Sequence, residues 1–361
     1  DLIRTFFEML ALWSFIEWTQ TARWKHFFVS AIMIGLAITT KVLAIGSLLV
    51  FSLLIIYVYY NGSFKNKGNL FSVKNTSVKI IVSLLIFWFI ALFIPLPWFI
   101  FSYSHTGNPV YPFFTKHYPI APNHFNPLEF VITLWNLFMY SPDPISPLYL
   151  IFLPLIFITF TTFQKEIKLI VWYSVISLLL WYFTPQTGGG RFILPYLPVF
   201  SFVCGAIYSE ILKKTGKEWG NVSLVLSAAV VFVFVISIGY RFIANSKYIP
   251  VLIGKESQSQ FLSSHLNFSY GDFYDTDGYF ISHIKSSDTV LLYGFHNLYY
   301  IDFPFIDSSW VRKGESFDYI ATQKTHLPTR FKDWQLIYMN DTSMVQLYKP
   351  PKGECHRICH Y

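Results

Sequence analysis

Apolar residues run along this chain in blocks about as long as a membrane crossing, divided by short polar breaks. A helix needs roughly 20 mostly apolar residues to cross a hydrocarbon layer. On that measure the expected spans are Leu2–Thr19, Phe27–Thr40, Val42–Tyr60, Ile80–Phe101, Pro147–Phe163, Leu169–Phe183, Phe192–Leu212 and Val222–Phe242, about eight in all. Phe27–Tyr60 can also be drawn as one long tilted helix with Lys41 inside it. The hairpin reading keeps every basic cluster on one side and is preferred.

The pattern changes twice. Residues 103–146 are interrupted by Pro109, Pro112, Pro119, Pro122, Pro127, Pro142 and Pro144, which bar a long regular helix. Within them Leu128–Tyr140, with Trp135, Phe138 and Tyr140, is too short to span and reads as an interfacial helix. After Ala244 the composition is mixed and polar. Tyr274–Lys285 has amphipathic helical spacing, and Thr289–Tyr293, Tyr319–Thr322, Trp334–Met339 and Met344–Tyr348 read as short strands. The expected fold is an α-helical multi-pass membrane domain over residues 1–243, followed by a small extracytoplasmic α/β domain over 244–361.

Composition strengthens the membrane reading. Of 361 residues, 53% are hydrophobic and 13% charged, against about 25% charged in ordinary soluble domains. The mean hydropathy is +0.43. A net charge of +7 does not point to nucleic acid, because the basic residues lie in short clusters between apolar runs. Those clusters occupy alternate loops: Arg23 and Lys25; Lys65, Lys67, Lys74 and Lys79; Lys165 and Lys168; Lys213, Lys214 and Lys217. The positive-inside rule puts them in the cytoplasm. Asp1, Lys41, the 103–146 loop, Arg191 and the tail then share the outer side of a cytoplasmic (inner) membrane. Three cysteines imply no disulfide framework. The chain opens on Asp1 inside an expected span, so it is expected to be a piece lacking preceding helices.

Charges within or beside spans are the first candidates for chemistry. Arg4 and Glu8 stand four apart on one helical face and can pair, as an internal packing contact or as part of a site. Lys41 ends Gly35–Lys41 at an outer tip, where it either snorkels or holds a phosphate. Arg191 follows Gly188, Gly189 and Gly190, which let backbone N–H groups approach an anion while the guanidinium adds a fork. Thr106–Pro112 is a turn carrying Asn108 and Tyr111, with His105 beside it. Asp272, Asp275 and Asp277 partly resemble a calcium loop but lack its later ligands, so service at a helix N-terminus is the better reading. Cys355, His356, Cys359 and His360 have metal-ligand types but no second pair. No phosphate-binding loop, dinucleotide fingerprint or serine elbow is present.

These residues, in this order, resemble the GT-C superfamily of polyprenyl-phosphate-sugar-dependent glycosyltransferases, in the branch of protein mannosyltransferases and aminoarabinose transferases. Asp1-Leu2 before an apolar run is similar to the family's second outer-loop acidic residue. Gly35–Lys41 resembles its short helix ending in Thr-Lys, and Thr106–Pro112 its Gly-Asn-Pro-Val-Tyr-Pro stretch. Arg191–Pro198 resembles its Arg-Phe-Leu-Leu-Pro segment, and the tail with Asp288 and Asn297 its small following domain. The resemblance implies inverting transfer of a sugar from a polyprenyl-phosphate donor to a glycan, lipid or protein acceptor outside the membrane. It implies Lys41 and Arg191 as phosphate ligands and Asp1 as the catalytic carboxylate or a metal ligand. It further implies His105, Asn108 and Tyr111 as an acceptor or donor loop. A divalent-cation requirement varies across the superfamily, and no other cofactor is expected. The family's principal acid lies in an earlier outer loop, so the chain by itself is expected to be inactive. The rival readings are a transporter or flippase of lipid-linked sugars and a non-catalytic membrane scaffold. Clustering of Asp1, Lys41 and Arg191 would favour the enzyme.

Overall fold

The computed structural model describes residues 1–62, 75–111, 113–114, 126–140, 145–184, 189–214, 220–311 and 314–351. The chain divides into two compact units, Asp1–Gly239 and Tyr240–Tyr361.

The first unit is helical. Helix α1 (Leu2–Thr21) turns into α2 (Trp24–Thr40) through Ala22, whose left-handed φ of 54° lets its N–H cap the Trp18 carbonyl at 2.8 Å. Small residues face each other across this hairpin, and the Ser30 hydroxyl donates to the Ala11 carbonyl at 2.9 Å. Such small-residue contacts are how helices approach closely in lipid, where burial from water no longer drives association. The helix breaks at Lys41, whose extended φ of −158° leads into a 3-10 turn, Val42–Ile45, and then α3 (Gly46–Tyr60). The chain from Phe27 to Tyr60 is therefore two helices with Lys41 at the joint.

Helix α4 (Thr76–Phe93) is followed by α5 (Leu96–Thr106), so the expected Ile80–Phe101 span is interrupted at Pro95, which has no N–H to continue the ladder. Helix α6 (Pro127–Met139) coincides with the expected interfacial segment, and the Asn126 side chain caps it by accepting from the Leu128 and Glu129 N–H groups. The expected Pro147–Phe163 span is not one helix. Around Pro154 it splits into α7 (Leu148–Phe152), α8 (Ile156–Thr159) and 3-10 pieces. Helix α9 (Lys165–Tyr182) precedes a 3-10 segment, Gly189–Tyr196, which runs into α10 (Leu197–Lys214) and then α11 (Gly220–Ser246).

Among the described residues, four segments are long and apolar enough to cross a membrane: Val42–Tyr60, Thr76–Phe93, Arg191–Lys213 and Ser223–Ser246. They make the chain a multi-pass membrane protein. This is fewer than the eight expected. Arg4, Glu8 and Glu17 dilute α1, Lys165, Glu166 and Lys168 dilute α9, and Trp24–Thr40 and Leu148–Thr162 are short. The core of the unit is an aromatic chain. Trp18 lies 5.3 Å from Phe15 and 4.8 Å from Phe27, and Phe87 lies 5.5 Å from Phe27 and 5.7 Å from Phe51.

The second unit contains α12 (Ile249–Leu252), α13 (Gln258–His265), α14 (Tyr279–His283) and a five-stranded mixed sheet of order β2-β1-β3-β5-β4. Strands β1 (Val290–Tyr293), β2 (Phe305–Asp307) and β3 (Tyr319–Gln323) are parallel. Strands β4 (Gln335–Asn340) and β5 (Val345–Lys349) form an antiparallel hairpin paired to β3 through β5. Val290, Leu292, Ala321, Val345 and Leu347 face one core with Phe273, Phe280 and Phe303; Leu291 and Ile320 face another with Phe317 and Phe331. This alternation follows the period-two pleat. The four expected strands are present, and β2 adds a fifth. The expected Tyr274–Lys285 helix shrinks to five residues, because Gly278 adopts a left-handed φ of 75° just before it.

Candidate functional site

Asp1, Lys41 and Arg191 meet in space. The Lys41 Nζ lies 2.5 Å from Asp1 Oδ1, and the Arg191 Nε lies 2.5 Å from Asp1 Oδ2. The three come from the start of α1, the break after α2 and the 3-10 segment before α10. The Asp1 side chain is only 5% exposed, whereas Lys41 is 26% and Arg191 69% exposed. Lys41 also stands 4.3 Å above the Phe192 ring, a cation–π contact that orients the ammonium. One carboxylate held by two cations leaves a local surplus of positive charge, with Arg191 presenting most of its guanidinium outward.

Just inside this rim lies a second charged cluster. The Arg4 Nε donates to Glu8 Oε1 at 2.7 Å, and its Nη2 donates to the Tyr196 hydroxyl at 2.8 Å. Ser47 donates to the same Glu8 oxygen at 2.9 Å, and the Tyr173 hydroxyl donates to Oε2 at 3.1 Å. Arg4 is 1% and Glu8 0% exposed. The pair is thus an enclosed network joining α1, α3, α9 and the 3-10 segment, as a buried pair needs further hydrogen bonds to offset desolvation. Ser47, Tyr173 and Tyr196 were not among the expected site residues. The only sequence signal was a hydroxyl within an otherwise apolar run.

The Thr106–Pro112 turn is held by its own bonds. Gly107 takes a φ of 71°. Asn108 accepts from the Val110 N–H at 3.0 Å, donates to the Phe113 carbonyl at 2.6 Å, and accepts at its own carbonyl from Ser102 at 2.8 Å. His105 contacts the Phe101 carbonyl at 2.9 Å, and its ring lies 4.2 Å from the Phe101 ring at a tilt of 33°. Tyr111 is exposed. Among the described residues, no hydrogen bond or ion pair connects this turn to Asp1, Lys41 or Arg191. Pro112 lies outside the described residues, as do Gly188 and Cys355–His360.

Each Asp1 carboxylate oxygen is held by a side-chain cation in this structure. Among the described residues there is no group of three or more His, Cys, Asp or Glu side chains able to hold a metal. The aspartates of the second unit serve backbone donors instead. Asp272 accepts from the Asn267 N–H at 2.8 Å, Asp275 from Ile281 at 3.0 Å and Asp277 from Tyr279 at 3.2 Å. The last two satisfy donors at the start of α14, although the cap residue itself is Gly278. Burial pushes the Asp275 carboxyl up, and neighbouring Asp277 adds to this. Burial also opposes ionisation of Asp277, but hydrogen bonds from Tyr338, the Tyr279 N–H and Asn340 outweigh it and hold that carboxyl below its usual range.

No family model matches the chain, and no curated protein or solved structure matches it.

Proposed function

We propose that this chain belongs to a membrane glycosyltransferase of GT-C type, which moves a sugar from a polyprenyl-phosphate donor to an acceptor outside the membrane. The observation that carries the reading is the grip of Lys41 and Arg191 on Asp1, three residues far apart in sequence and brought to one point. In such a transfer the acceptor oxygen attacks the anomeric carbon with inversion, and the bond from that carbon to the phosphate oxygen breaks. The electron pair leaves with the lipid phosphate, whose charge grows from about −1 to about −2. Two cations therefore stabilise the transition state more than the bound donor, which is the condition for catalysis. An arriving phosphate competes with Asp1 for Lys41 and Arg191. The displaced carboxylate is then available to orient the acceptor hydroxyl or take its proton.

The positive-inside rule supports this reading, since it keeps the basic loops cytoplasmic and leaves the Asp1 rim to the outer side. In this reading α1, α2, α9 and the broken 148–162 run complete about eight crossings, with the Arg4–Glu8 pair of α1 satisfied inside the bundle. The buried Arg4–Glu8 pair is what favours the alternative of a transporter for lipid-linked sugars. It is a buried and multiply bonded network at the end of α1 nearer the rim, which suits support of a site at that rim better than a midplane transport site.

The test is release of polyprenyl phosphate from a short-chain polyprenyl-phosphate sugar by the full-length protein, with the earlier outer loop that the resemblance implies, in nanodiscs. Wild type is compared with Lys41→Ala and Arg191→Ala. Release that collapses in both variants, with folding intact, supports the transferase. Binding without release moves the reading to a transporter, and no binding by wild type moves it to a scaffold.

A further inference from the structure

Two contacts fix the alignment of α1 against α9. Glu8 meets Tyr173, and Gln20 Nε2 meets Glu166 at 3.5 Å, so the helices run antiparallel. At about 1.5 Å per residue, Arg4 on α1 and Ser177 on α9 both lie about 6 Å from the Glu8–Tyr173 contact, towards the rim. Asp1 and Trp181 lie a further helical turn in the same direction. Ser177 and Trp181 follow Tyr173 at steps of four and so share one stripe of α9.

In those two layers three buried atoms have no hydrogen-bond partner among the described residues: Arg4 Nη1, Ser177 Oγ and Trp181 Nε1. Their residues are 1%, 0% and 3% exposed. Buried polar groups without partners are rare and costly, and each calls for a physical explanation. Here the three share a chemistry. Guanidinium and indole nitrogens can only donate, and a serine hydroxyl can donate. What the seam lacks is an acceptor.

We propose that the seam between α1, α9 and the Gly189–Tyr196 segment, directly inside the Asp1–Lys41–Arg191 rim, binds the oxygen-rich head group of a polyprenyl-phosphate ligand through Arg4 Nη1, Ser177 Oγ and Trp181 Nε1. The proposal rests on the glycosyltransferase reading and extends its site inward from the rim. Phosphate oxygens and sugar hydroxyls present the same acceptor chemistry, and both come from the same donor lipid. Arg4 suits either source, because Glu8 already balances its charge and both N–H groups of Nη1 remain for the ligand.

The experiment measures binding of two probes to the full chain in nanodiscs, a short-chain polyprenyl phosphate and the corresponding polyprenyl-phosphate sugar. It also records the melting temperature of each ligand-free protein. The variants are Ser177→Ala and Trp181→Phe, with Lys41→Ala alongside. Each of the first two removes a donor and keeps the packing, so affinity is expected to fall about 3- to 10-fold, the effect of one hydrogen bond. The ligand-free melting temperature should stay level or rise, since an unpaired buried donor has been removed. Loss with both probes assigns the seam to phosphate oxygens, and loss with only the sugar-bearing probe assigns it to sugar hydroxyls. Unchanged affinity in both variants, with Lys41→Ala still impaired, overturns the seam and leaves the rim reading intact. A lowered ligand-free melting temperature with unchanged affinity also overturns it, because the donors then have partners within the protein. If wild type binds neither probe, the transferase reading and the seam fall together.

Discussion

Arg191 Nε sits 2.5 Å from Asp1 Oδ2 across 190 residues of sequence, closing the start of α1 onto the 3-10 segment that precedes α10. Lys41 occupies the other carboxylate oxygen, so Asp1 is the hub of the rim. Asp1→Asn keeps the shape and removes the charge that competes with phosphate. The expected result is tighter binding of polyprenyl phosphate, by about 3- to 10-fold if one charge-assisted contact is released. Turnover falls in the same variant, because the carboxylate that orients the acceptor is gone. Titration calorimetry and a product-release assay read the two effects separately.

Glu8 accepts from three side chains in a space closed to solvent. Glu8→Gln leaves the Arg4 guanidinium without its counter-charge and is expected to destabilise the protein by about 3 kcal/mol. Replacing both residues with apolar ones of similar volume, Arg4→Met with Glu8→Leu, should cost less than the single change. Denaturant or SDS unfolding of the purified protein measures both. Equal losses in the single and double variants would mean that the network contributes through packing rather than charge.

Gly35 lets α2 close on α4. A Cβ there would stand 2.8 Å from the Ala91 carbonyl oxygen and 2.7 Å from Ile94 Cδ1. Backbone cannot step aside as a side chain end can, so Gly35→Ala should cost about 1–3 kcal/mol through overpacking. The melting temperature in detergent reports this, and an unchanged value would refute the close approach.

Neighbouring Asp275 and Asp277 shift in opposite directions. A carboxyl lowered in the fold adds stability above its unfolded pKa of about 3.9 and loses it as pH falls through the folded value. One raised in the fold adds stability below about 3.9 and loses it as pH rises through the folded value. Asp277→Asn should therefore weaken the second unit at pH 7, by at most about 1 kcal/mol given its exposure, with the difference fading in acid. Asp275→Asn should be neutral or stabilising at pH 7, since it removes a charge that burial disfavours. Amide exchange of β1 and β4 across pH measures both, and matching responses would contradict the opposed shifts.

Sequence alone determined the long-range pattern. Apolar blocks of spanning length, a polar tail with period-two strands and a short helix beginning near Leu128 are set by side-chain polarity and local backbone preference, which act over a few residues. Breaks were harder to read where a single residue decided them. Pro154 and Gly278 each changed an expected helix, because the lost N–H or the left-handed φ outweighs apolar spacing. Charges beside apolar runs pointed to Asp1, Lys41, Arg191, Arg4 and Glu8 as the residues to watch. Only the tertiary structure decided which of them meet. It brought Asp1, Lys41 and Arg191 to one point, ringed Glu8 with Ser47 and Tyr173 and bonded Arg4 to Tyr196, and left the Asn108 turn bonded to itself. Hydrogen bonds and ion pairs between distant segments depend on how helices cross and at what height. No local pattern in the chain carries that information.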